Sequence, residues 1–102
     1  MKVCEEMQKL RDYLDQKKIK WDDDSEEFIK GMWICRTHFE YEDYFWSVIN
    51  GSGTYGGYIH DYEKNNSNLL ELWVECVNEG EPLGFLKAEE VIKYIEDMKG
   101  KT

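Results

Sequence analysis

"MWICRTHFEYEDYFWSVIN", residues 32–50, is the stretch on which the fold turns. A two-residue turn at Glu42-Asp43 sets Tyr41 opposite Tyr44, Phe39 opposite Trp46, Thr37 opposite Val48 and Cys35 opposite Asn50. Successive strand residues point to opposite sheet faces, so these eight side chains share one face, and most are apolar. The other face reads Arg36, His38 and Glu40 on one strand and Phe45, Ser47 and Ile49 on its partner. The pattern predicts an antiparallel hairpin with one core face and one mixed face. Glu-Asp is not the favoured Asn-Gly pair, so a longer loop competes with the tight turn.

The flanks supply the rest of the domain. Val3, Met7, Leu10 and Leu14 recur at helical spacing, predicting a helix from about residue 2 to residue 17. Lys17, Lys18 and Lys20 follow it, where positive charge suits a helix C-terminus. A short strand is expected over 19–21. In "WDDDSEE" the spacing of Asp24 and Glu27 suggests a capped helical turn through Phe28. Leu70, Leu72, Val74 and Cys76 alternate with Glu71, Trp73 and Glu75; a helix also accommodates 69–77, but the Trp-Val pair and the turn signal at 78–82 favour a strand. Residues 83–86 read as a returning strand, and Ala88, Val91, Ile92, Ile95 and Met98 as a final helix ending before Gly100. The expected class is α+β: one domain over 1–102, with a small antiparallel sheet of about four strands and N- and C-terminal helices packed on one face.

Composition bounds what such a domain does. The 102 residues carry a net charge of −9, and the excess negative charge is concentrated after residue 20. That field repels phosphate backbones, which argues against direct nucleic-acid binding, and steers the chain toward basic surfaces. Three cysteines without a C-x-x-C pair imply no disulfide framework. The chain lacks a signal-like start and any apolar run of spanning length, so a cytoplasmic protein with no membrane association is expected.

Residues 50–58, "NGSGTYGGY", gather four of the eight glycines around two tyrosines within a long polar connection, 50–68. A phosphate cradle would need a strand, the loop and a helix, with G-K-[ST], and that tripeptide is absent. Recognition is a second reading, since Tyr, Gly, Ser and Asn dominate adaptable contact loops. A third is structural, with glycines at positive φ and the tyrosines packed back on the sheet.

No catalytic set emerges. Cys35 and His38 project to opposite faces, His60-Asp61 are mere sequence neighbours, and the three cysteines and two histidines lack zinc-ligand spacing. No metal, no cofactor and no enzymatic activity are expected. The leading expectation is a non-catalytic acidic binding protein that engages the basic surface of a protein partner. Tyr55, Tyr58 and Tyr62 would serve as anchors, with Gly53, Gly56 and Gly57 shaping the loop. His38, Asp22, Asp23, Asp24, Glu40 and Glu42 would complete the site. In charge and size the chain is analogous to the small acidic inhibitors and charge mimics that mobile elements of phage type encode. Two alternatives stand beside it: a small-molecule binder stacking a nucleotide-like ligand on the same loop, and a homo-oligomeric structural protein.

Overall fold

The computed structural model describes residues 3–29, 32–51 and 69–99. The loop 52–68, with the expected anchors Tyr55, Tyr58 and Tyr62 and the glycines Gly53, Gly56 and Gly57, lies outside the described residues.

The chain opens with α1 (Glu5–Gln16) and closes with α2 (Ala88–Met98). Between them run β1 (Trp21–Asp23), β2 (Glu26–Ile29), β3 (Met32–Tyr41), β4 (Tyr44–Gly51), β5 (Leu70–Val74) and β6 (Leu83–Leu86). All pairings are antiparallel. β1 and β2 both pair with β3, and the sheet continues β3-β4-β5-β6. The architecture is a small α+β meander of five sheet positions, one more than the pattern suggested, because β1 and β2 together form one broken edge.

The central hairpin has the expected register, from Cys35 opposite Asn50 to Tyr41 opposite Tyr44. The turn is tight despite its unfavoured residues: Glu42 and Asp43 have φ of 52° and 68°. Positive φ at both positions matches the right-handed twist of the strands, as a type I′ turn requires. On the core face Phe39 stacks on Trp46, with centroids 5.6 Å apart, and Tyr41 meets the same indole edge-on.

α1 begins at Cys4, whose Sγ accepts the Met7 amide, with Glu5 and Glu6 beside the positive helix end. It ends in a Schellman motif: the Ile19 amide donates to the Leu14 carbonyl at 2.8 Å and the Lys18 amide to Asp15 at 3.1 Å. Lys18 takes the left-handed position, φ 59°, that glycine usually holds.

Two local expectations are corrected. The short strand lies at Trp21–Asp23 rather than 19–21, since the Schellman turn occupies Ile19. The capped helical turn through Phe28 is replaced by β2. Ser25 decides this. Its Oγ donates to Asp23 Oδ1 at 2.5 Å and accepts the Arg36 amide at 3.0 Å, while the Asp24 amide donates to the Arg36 carbonyl at 3.1 Å. The break between β1 and β2 is thereby sealed against β3, and ladder bonds outweigh a one-turn helix with a costly nucleus. For 69–77, the strand reading holds over Leu70–Val74, where Leu70, Leu72 and Val74 are buried.

Both helices cover the same sheet face. Met7, Leu10 and Leu14 from α1 and Ala88, Val91 and Ile95 from α2 close over Cys35, Phe39, Trp46, Val48, Leu70, Leu72, Val74 and Leu86. The helices run parallel. At their starts Glu6 Oε1 accepts the Ala88 amide at 2.7 Å, and at their ends the Tyr13 hydroxyl donates to Glu96. Parallel dipoles oppose each other, and the Glu6 carboxylate at the α2 N-terminus offsets that.

Candidate binding face

The meander leaves one sheet face without a helix among the described residues. Alternation sends Arg36, His38 and Glu40 of β3, Phe45, Ser47 and Ile49 of β4, and Glu71 and Trp73 of β5 to that side. One row crosses four strands: Asp22, His38, Ser47 and Trp73 are successive cross-strand partners. The His38 ring leans on Phe45, with centroids 5.0 Å apart.

Large apolar side chains sit here in the open. Phe45 is 47% exposed and Trp73 36%; on β6, Phe85 is 55% exposed. Trp73 is held by its indole N–H, which donates to the Gly80 carbonyl at 2.8 Å. Phe85 occupies a bulge, since Leu70 pairs with Leu86 while Leu72 pairs with Leu83. Its φ is 60°, a conformation costly for a bulky side chain by about 1–2 kcal/mol.

Carboxylates rim the aromatic centre. Asp22 and Glu40 are exposed, Glu40 directly across from Phe45. Asp24 Oδ2 lies 3.6 Å from His38 Nδ1, and Glu26 pairs with Arg36 at 2.9 Å. Glu42 is half-buried at the hairpin tip. A groove of about 720 Å³ continues the face past its corner, where Lys17, Lys18 and Lys20 meet Asp22, His38 and Phe45.

Asp23 has a different task from its neighbours. It accepts from Arg11 at 3.2 Å, and Arg11 is only 5% exposed. The Ser25 hydroxyl foremost, then the Ser25 amide and Arg11, hold the Asp23 carboxyl below its ordinary range against the opposing effect of burial. Asp23 faces inward chemistry, while Asp22 and Asp24 face the open side.

The nucleophile candidates are separated as the register implies. Cys35 is buried, with its Sγ 3.6 Å from the Arg11 guanidinium, while His38 lies on the opposite face. Sequence reasoning missed the nearness of Asp24 and His38, which depends on the β1–β2 break folding over β3. Asp24, His38 and Ser47 thus lie in series, but the Asp24–His38 separation exceeds a hydrogen bond. Among the described residues no group of three or more His, Cys, Asp or Glu side chains is arranged to hold a metal ion. No helix there is long and apolar enough to cross a membrane.

No family model, curated protein or solved structure matches the chain.

Proposed function

We propose that this chain is a non-catalytic acidic binding protein that engages a basic protein partner through the sheet face that carries no helix among the described residues. The observation that carries this reading is the exposure of Phe45 and Trp73 on the sheet side opposite both helices. Exposed aromatic side chains ringed by polar groups are the usual anchors of protein interfaces. The net charge of −9 and the rim of Asp22, Asp24 and Glu40 would speed approach to a positive surface, and the aromatics would hold it.

Phe45→Ser and Trp73→Ser should each weaken capture of the partner from native extract at least tenfold. Capture should also fall steeply with added salt. Thermal melts of each variant accompany the capture assay. Undiminished capture by both folded variants would remove the proposal.

A further inference from the structure

We infer that Cys4 and Cys35 form a redox pair, which a hydroperoxide closes into a disulfide that ties the start of α1 to the central strand β3. Neither Phe45 nor Trp73 takes part, so the pair stands or falls apart from partner binding.

The packing of α1 on β3 brings the two thiols level. Both elements run in the same direction. Met7 Sδ accepts from the Thr37 hydroxyl at 3.1 Å, and further along α1 Asp15 accepts from the indole of Trp21, the cross-strand partner of Phe39. From the Met7–Thr37 contact, Cys4 lies back along the helix by about 4.5 Å and Cys35 back along the strand by about 6.6 Å. Spacing of i and i+3 puts Cys4 on the Met7 side of the helix, and alternation puts Cys35 on the Thr37 face. Cys35 is part of the buried core, and Cys4 packs against that core. Burial foremost raises the Cys4 thiol, against the Met7 amide, and Cys35 adds to the rise as a near neighbour does. Cys76 is remote from both. It follows Val74, which pairs with Trp46 near the hairpin turn, whereas Cys35 pairs with Asn50 at the other end.

The two positions divide the chemistry. Cys4 is half-buried, so its sulfur is the one a small hydroperoxide reaches, while Cys35 is sealed with its Sγ 3.6 Å from Arg11 Nη2. The Cys4 thiolate attacks one oxygen of the O–O bond and becomes a sulfenic acid; the other oxygen leaves with a proton, as water when the oxidant is hydrogen peroxide. Cys35 then loses its proton. Its thiolate, favoured by the guanidinium, attacks the Cys4 sulfur, and the departing hydroxide takes that proton to leave as a second water. Two thiols are oxidised and one peroxide is reduced.

The probe is hydrogen peroxide, added to the reduced full chain in equimolar amount. Remaining thiols are alkylated and tryptic peptides identified by mass. The product should have lost two hydrogens, keep Cys76 as its one alkylated thiol, and yield a peptide linking Cys4 to Cys35. The link should form at least tenfold faster in the folded chain than in urea, where the packing that aligns the thiols is gone. Cys76→Ser should leave that rate unchanged. Cys4→Ser, which keeps an N-cap oxygen, should leave Cys35 reduced. A folded chain that oxidises only at Cys76, a link made through Cys76, a rate no faster than in urea, or oxidation of Cys35 without Cys4 would each overturn the inference.

Discussion

Arg11 shows how a single charged residue is fitted into a small core. On α1 it falls within the apolar stripe, between Leu10 and Leu14, and it is buried with them. Its Nε donates to Thr37 Oγ1 at 2.8 Å, its Nη2 to the Arg36 carbonyl at 3.1 Å and to Asp23, and its Cζ lies 4.6 Å from the Trp21 ring centre. The guanidinium ties α1 to β3 and to the broken edge at once. Asp23 is half exposed, so the ion pair itself contributes little, and the buried hydrogen bonds and packed stem contribute most. Arg11→Ala should therefore cost about 2–4 kcal/mol. Asp23→Asn should cost under about 1 kcal/mol. Urea unfolding at neutral pH distinguishes them, and equal losses would mean that the ion pair dominates. Nothing within the helix sequence announces Thr37 or Trp21 as neighbours of Arg11, so only the packed structure places it in the core.

At the scale of elements, the central hairpin was legible and the edge beside it was not. Alternation over 32–50 carries the register in its own pattern, since a one-residue slip would move every apolar side chain to the wrong face. The turn then follows by subtraction, whatever its residues prefer. Glu42 and Asp43 are held at positive φ by the strands they join, so replacing them with Asn-Gly should stabilise the domain by about 0.5–1.5 kcal/mol, read from the urea midpoint. A lower midpoint would mean that the side chains of Glu42 and Asp43 matter more than their backbone preference. At Asp24-Ser25, by contrast, the local signal of a helix cap was real but outvoted, because β3 supplied ladder partners that a short window does not contain.

For the molecule as a whole, titration defines a window of stability. Burial raises the Glu6 carboxyl, but the Ala88 amide and Lys9 outweigh it, so Glu6, like Asp23, titrates below its ordinary range. Groups lowered on folding stabilise above their unfolded pKa and lose that contribution as pH falls through the folded value. Burial, then the Glu96 carboxylate, raises Tyr13; burial, then Glu42, raises Tyr41; burial also raises the Cys4 thiol. These acids stay neutral in the fold after the unfolded chain has begun to ionise, so their contribution is lost as pH rises above about 9–10. The urea midpoint should be broad and level between about pH 5 and 9 and should fall on both sides. Tyr13→Phe should flatten the alkaline limb while leaving the acid limb in place. An alkaline limb unchanged in that variant would show that Tyr13 does not link the helices as its bond to Glu96 implies.

The amino-acid pattern by itself determined the class of fold, the hairpin register, the terminal helices and the acidic field, because each is written in a periodicity or a sum that needs no neighbour; over 69–77 it favoured a strand, and the structure bounds that strand at Leu70–Val74. Only the tertiary structure decided that the helices run parallel, that Ser25 seals a broken edge, that Arg11 is buried and that Asp24 reaches His38. It also decided which exposed aromatics gather on one face. The physical reason is the same throughout: a local pattern says which side of an element is apolar, but the partner opposite comes from distant chain, and its hydrogen bonds and packing choose among locally equivalent conformations.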